Sequence, residues 1–248
     1  MLIPEYQAPT NVLADKTIVI TGGGSGIGKA IALGFAECGA TVVLLGRTMS
    51  NLEETYDEIE DKSWPTPAIY NIDFLNAQEQ DYINVQLALQ KEFGSIDGLI
   101  LNASVLGKHC PFGQINYEEW QNIMQVNVNA TFALTKNLLP LLQLSQDARI
   151  LYTSSAVGRQ GRAYWGAYAA SNAAVENMIQ CLADELEETS IRVNSINPGS
   201  ARTAMRAKAY PAEDPMQIKP PEALVNSYLY LFAPESNHIH GRQFEVQP

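Results

Sequence analysis

Basic residues are scarce in this chain: 16 Lys and Arg stand against 27 Asp and Glu, a formal net charge of −11. No run of Lys and Arg interrupts the acidity, so nucleic acid is not an expected partner. Cysteine is scarce as well. Cys38, Cys110 and Cys181 are scattered and odd in number, which suits free thiols in a reducing compartment and argues against a disulfide framework. No stretch reaches the roughly 18 apolar residues of a membrane span. The opening MLIPEYQAPTNVL has neither a basic start nor a long apolar core, so it does not read as a signal peptide. His109 and Cys110 have no second His or Cys nearby, which leaves no metal site to expect. Internal repeats, low-complexity tracts and linkers are also missing. These absences leave one domain, residues 1–248, in the cytoplasm.

What is present is an alternation. Short apolar runs at Thr17–Thr21, Thr41–Leu45, Ala68–Ile72, Gly98–Leu101, Arg149–Thr153, Arg192–Ile196 and Gln243–Val246 read as strands. They are near-continuously apolar, as strands buried on both faces should be. Helical patterns lie between them at Ile27–Glu37, Asn51–Asp61, Ala77–Phe93, Trp120–Leu144, Ala167–Glu187 and Pro221–Leu231. Repeated βα units predict an α/β fold, a doubly wound parallel sheet of about seven strands with helices on both faces. A short extension, about 1–12, precedes it. The segment 199–219 is long and weakly patterned, which suggests a mobile lid over a site.

The first strand runs into Gly22-Gly23-Gly24-Ser25-Gly26-Ile27-Gly28 and then a helix. Glycines there let the backbone turn sharply and let a pyrophosphate approach the helix N-terminus, where free N–H groups and the dipole favour anions. The spacing G-x-G-x-x-G is not met. The spacing T-G-x-x-x-G-x-G is met by Thr21, Gly22, Gly26 and Gly28. A plain tight turn competes with this reading, but its place after the first strand of a βαβ unit favours the nucleotide.

From here the chain resembles the short-chain dehydrogenase/reductase family, over roughly Leu13 to Val246. Further motifs fall in the family's order: Asp73 after the third strand, Asn102-Ala103-Ser104 after the fourth, Asn127 in MQVNVNATF, Ser155 thirteen positions before Tyr168, and Asn197-Pro198-Gly199 with Thr203. QVNVNATF, SSAVGRQGRAYWGAYAAS and NPGSARTAMRA resemble the bacterial YciK-type branch of that family. The resemblance implies a single Rossmann domain and hydride transfer between a nicotinamide and a carbonyl or alcohol. It places the cofactor on Gly22, Gly24, Ser25, Gly26, Ile27 and Gly28, and on Asp73, Asn102 and Ala103. Tyr168, Asn172, Pro198, Gly199 and Thr203 complete that set. A homodimer or homotetramer through the long helices is implied too. Arg47 stands where an acidic residue would hold the ribose of NAD, which favours the 2′-phosphate of NADP; a solvated surface arginine is the plain alternative.

The family's catalytic helix carries Tyr-x-x-x-Lys, and here the lysine position is Asn172. The resemblance makes Tyr168 the general acid and base, Ser155 the group that polarises the carbonyl, and Asn127 the holder of a relay water. Asn172 lies one turn from Tyr168 on the same helix face. It is expected to reach a ribose hydroxyl but brings no charge to stabilise a tyrosinate. Without the cation the Tyr168 phenol should stay near its ordinary pKa of about 10, and the chemical step should slow by roughly 10–1,000-fold. Ser154 is read as structural, since residues alternate faces along a strand.

Arg159 and Arg162, between Ser155 and Tyr168, could hold a carboxylate or phosphate of the substrate; solvated or interface arginines compete. Trp165 could form an apolar wall or simply pack. Met205 and Arg206 lie in the expected lid. The expected function is an NADP(H)-dependent oxidoreductase with an impaired proton relay. The rival is a catalytically silent nucleotide-binding protein, a sensor or assembly subunit, on the same fold.

Overall fold

The first strand shows why its sequence is apolar throughout. A computed structural model describes residues 1–247. In β1 (Thr17–Thr21), Ile18 and Ile20 belong to one hydrophobic core and Val19 to another. In β2 (Thr41–Gly46), Val42 and Leu44 join the first core, Val43 and Leu45 the second. Successive side chains point to opposite faces, so a sheet covered on both sides needs an apolar residue at every step.

β3 (Ala68–Asn71), β4 (Gly98–Leu101), β5 (Ala148–Thr153), β6 (Ile191–Asn197) and β7 (Gln243–Glu245) complete a seven-stranded sheet of order β3-β2-β1-β4-β5-β6-β7. Every neighbouring pair is parallel. The helices, in chain order, are α1 (Gly26–Glu37), α2 (Met49–Asp61), α3 (Glu79–Phe93), α4 (Tyr117–Met124), α5 (Ala130–Leu142), α6 (Ala156–Arg159), α7 (Gly166–Glu185), α8 (Ala204–Ala209) and α9 (Val225–Tyr230). Phe35 of α1, Leu52 of α2 and Tyr228 of α9 fill the first core. Val85 of α3, Leu138 of α5 and Ile179 of α7 fill the second. The chain winds outward from β1 through β3, then returns to the other side of β1 as β4. The crevice opens there, at the carboxyl ends of β1 and β4, where the winding reverses.

The strands fall within a residue or two of their expected bounds. Two helices do not. The expected helix Trp120–Leu144 is divided: α4 ends at Met124, a π-helical turn spans Gln125–Asn129, and α5 begins at Ala130. Asn127 sits in that turn and is stitched to the backbone of Val105; π turns place a side chain out of helical register. Pro221–Leu231 is a 3-10 turn at Pro221–Leu224 followed by α9.

The segment 199–219 is more structured than its weak patterning suggested. It contains α8, capped by the Thr203 hydroxyl accepting from the Arg206 amide. It closes on itself through the Arg202 amide and Lys219 carbonyl at 2.9 Å. The N-terminal segment is tied to the far edge of the sheet, where Leu2 bridges Glu245 and Tyr6 packs edge-on against Tyr230. Among the described residues no helix is long and apolar enough to cross a membrane.

Candidate active site

A cleft of about 480 Å³ opens at the switch point, and the glycine turn forms one end of it. Gly22 and Gly26 adopt φ of +72° and +53°, in the left-handed region that favours glycine. Gly22, Gly24, Ser25, Gly26 and Ile27 line the cleft. Ser25 precedes α1 without capping it through its side chain, so the first-turn amides present donors to the cleft with no side-chain acceptor. Gly28 is different: it is not on the cleft. A methyl there would lie 2.1 Å from the Gly22 carbonyl oxygen, so its glycine lets α1 close on β1. Thr21 holds the neighbouring strand end, its hydroxyl accepting from the Asn102 and Ala103 amides at 2.8 and 2.9 Å.

Arg47, Asp73, Asn102 and Ala103 line the cleft beyond the turn, and Pro198, Gly199 and Thr203 line its opposite wall. Arg47 is exposed and takes part in none of the ion pairs among the described residues. Gly199 has φ +73°, and the Pro198 carbonyl accepts from Gln247 Nε2 at 2.8 Å. A side chain added at Gly26 would meet Thr203 Cγ2 at 3.3 Å. The loop before α8 therefore leans directly on the glycine turn.

Ser155 and Tyr168 meet on the same cleft. Burial raises the Tyr168 phenol above its ordinary value, while hydrogen bonds from Ser104, Asn172 and Ser155 pull it back down. The expectation of an unshifted phenol thus misses desolvation, which disfavours the charged form. Asn172 is also not where it was expected. It is 1% exposed and off the cleft. Its Oδ1 accepts from Tyr152 Oη at 3.0 Å, and its Nδ2 donates to the Tyr168 carbonyl at 2.9 Å. Both ends of its amide are thus engaged within the protein. Asn127 is equally buried. Its Oδ1 takes the Val105 amide, and Nδ2 gives both hydrogens away, to Val105 O and Ser171 Oγ, each at 3.0 Å. The side chain has no donor left for a relay water; it ties the π turn to α7.

The substrate arginines need correction. Arg159 does not line the cleft; it joins a part-buried network, pairing with Glu176 and Glu245. Glu176 Oε2 also accepts from Ser195 Oγ at 2.8 Å and Gln243 Nε2 at 2.7 Å. Arg162 is exposed and does not line the cleft. Met205 and Arg206 do line it. The Arg206 guanidinium is already held by both Glu213 oxygens at 2.6 Å and stacks on Tyr210. Trp165 is both wall and packing: it lines the cleft, with its ring 4.1 Å from that of His109. Among the described residues no group of three His, Cys, Asp or Glu could hold a metal ion.

Three cleft or near-cleft residues escaped the sequence reading. Ser154 lines the cleft, and its buried Oγ has no hydrogen-bond partner among the described residues. The alternation argument failed because β5 ends at Thr153 and the chain has already begun to turn. Ser104 stood in the sequence only as the last residue of the Asn102-Ala103-Ser104 motif, yet it lines the cleft beside Tyr168 and helps to lower that phenol's pKa. Tyr152 read as one more apolar strand residue.

Sheet order and cleft together define a doubly wound, Rossmann-type α/β domain. More narrowly, the chain belongs to the short-chain dehydrogenase/reductase family: the short chain dehydrogenase model matches residues 16–214. It is 44% identical to the oxidoreductase YciK of Escherichia coli (strain K12) over 243 residues, covering 98% of this chain and 96% of that one. It is similar to a short chain dehydrogenase structure from Pseudomonas syringae, with TM-score 0.97 and 47% identity, covering 99% and 100% of the two chains. A short chain dehydrogenase from Shigella flexneri 2a, solved in complex with NADP, matches with TM-score 0.95 and 43% identity over 97% and 100%.

Proposed function

We propose that this oxidoreductase uses NADP(H) to interconvert a neutral carbonyl compound and its alcohol, with a proton relay weakened by Asn172. The observation that carries the reading is one cleft shared by the glycine turn and Arg47 at one end and by Ser155 and Tyr168 at the other. When bound, the cofactor supplies or accepts the hydride. The uncapped α1 amides fit a pyrophosphate, and the orphan Ser154 Oγ fits a polar group deeper in the cleft. Asp73 and Asn102 with Ala103 flank the adenosine side; Pro198, Gly199 and Thr203 flank the nicotinamide side. Ser155 hydrogen-bonds the substrate oxygen. Tyr168 gives that oxygen a proton during reduction and takes it back during oxidation.

A neutral substrate follows from the charges. Arg159 and Arg206 are committed to carboxylates, and Arg162 lies off the cleft. The apolar face of Trp165 remains. The reading also carries a homodimer or homotetramer through α4, α5 and α7, where Phe132 is 53% exposed, and a cytoplasmic location in keeping with three free cysteines. A silent nucleotide-binding protein is the second reading, favoured by the sealed position of Asn172.

NADPH should bind more tightly than NADH by about 1–3 kcal/mol, the worth of hydrogen bonds to a charged group. Fluorescence titration of both cofactors checks this. Equal affinities, or an NADH preference that survives Arg47→Ala, would remove Arg47 from the site.

A further inference from the structure

Gln247 lies just past β7, and the register of the sheet brings it to the back of the cleft wall. Asn197 of β6 is level with Glu245 of β7 in the parallel ladder. The pairing continues beyond them, where the Val246 amide donates to the Asn197 carbonyl at 3.0 Å. Parallel strands advance together, so the next residue pair to meet is Gly199 with Gln247. β7 is pinned on its other side as well, its Glu245 amide donating to the Met1 carbonyl at 2.8 Å.

The Gln247 amide grips the turn. Its Nε2 gives one hydrogen to the Pro198 carbonyl and one to the Ser200 carbonyl, each at 2.8 Å. Carbonyl oxygens only accept, so the nitrogen must be the end that faces the turn. Neither carbonyl has another donor among the described residues. Gly199 makes the approach possible. It sits at φ +73°, and a Cβ there would come within 2.9 Å of Gln247 Cβ and 3.0 Å of its Nε2. Asn197 Oδ1 holds the Gly199 amide at 3.1 Å, so both polar ends of the peptide between Pro198 and Gly199 are fixed. A trans peptide turns its N–H opposite to its C=O. The grip on Ser200 therefore also sets the direction of the Ala201 N–H, and Ala201 lines the cleft.

We propose that Gln247 is a positioning residue for the nicotinamide half of the cofactor: by bridging the Pro198 and Ser200 carbonyls it fixes the turn that walls that half of the cleft. Gln247 itself does not line the cleft; it acts through Pro198, Gly199 and Ala201, which do. The inference rests on the reading of this cleft as an NADP(H) site with its nicotinamide side at Pro198 and Gly199.

Gln247→Met keeps the bulk of the side chain and removes both donors. NADPH affinity, titrated by fluorescence, should weaken by about 3–10-fold, the weight of one ordinary hydrogen bond. 2′,5′-ADP carries the adenine and the 2′-phosphate but no nicotinamide, and it should bind the protein and the variant equally. Gln247→Glu should weaken NADPH further, because a carboxylate sets acceptors against the two carbonyls. Amide hydrogen exchange over residues 198–203, measured without nucleotide, should quicken in both variants. Unchanged NADPH affinity overturns the inference even where the melting temperature falls, and so does an equal loss for NADPH and 2′,5′-ADP. In both of those cases binding of 2′,5′-ADP by the protein leaves the nucleotide reading standing. A protein that binds neither ligand overturns the inference and that reading together.

Discussion

Asn172→Lys is expected to raise kcat/KM by about 10-fold or more, because it sets a cation beside the Tyr168 phenol. The same change should lower stability by about 1–3 kcal/mol, since Tyr152 Oη loses its acceptor and is left buried. Adding Tyr152→Phe should restore most of that stability, and denaturant melts of the single and double variants check it. The pH profile of alcohol oxidation separates the electrostatic effect from a general improvement. Oxidation needs ionised Tyr168, and burial holds the phenol above its ordinary value. Activity of the protein with Asn172 should therefore still climb past pH ~10, whereas the lysine variant levels off earlier. At any one pH both reaction directions must gain by the same factor, because an enzyme cannot move the equilibrium. Superimposable profiles would mean that the proton leaves by another route.

Arg159→Ala should cost about 2–4 kcal/mol, less than the roughly 3–5 for breaking a fully buried ion pair from one side, because Arg159 and Glu245 are partly exposed. Glu176 is 3% exposed and would lose its cation, keeping only Ser195 and Gln243. The value should fall toward the lower end because those two hydrogen bonds remain. The loss should extend to the wall of the cleft. Glu245 pairs with Arg159 and accepts from Asn197 Nδ2 at 2.6 Å, and Asn197 Oδ1 holds the Gly199 amide. Chemical denaturation measures the cost. A substrate-binding arginine would behave otherwise: stability would hold, and kcat/KM would drop for acidic substrates alone.

Sequence made the sheet legible because both its faces are covered, and seven apolar runs record that directly. The glycine turn was legible because phosphate binding and close helix packing both depend on lost side chains at fixed spacing. Gly28 belongs to the second cause and not the first, a distinction that spacing cannot draw. The division of the helix around Asn127 left no mark, since apolar periodicity is nearly the same on either side of one π turn. Arg159 misled because it is near Ser155 in the chain, while its partners Glu176 and Glu245 lie 17 and 86 positions away. Asn172 shows the limit most clearly. Its place one turn after Tyr168 was readable; its capture by Tyr152, 20 positions earlier on a strand, was not. Helical spacing gives the face a residue shares, and tertiary packing decides which partner takes its polar atoms.

The central claim is that Tyr168 moves the proton in a nicotinamide-dependent hydride transfer. Its most direct test follows NADPH oxidation against a panel of neutral ketones and aldehydes, with the protein, Asn172→Lys and Tyr168→Phe side by side. The account predicts slow turnover of at least one compound, faster turnover with the lysine, and loss of turnover without the phenol while NADPH still binds. Equal turnover by the protein and Tyr168→Phe, with no gain from the lysine, would contradict it.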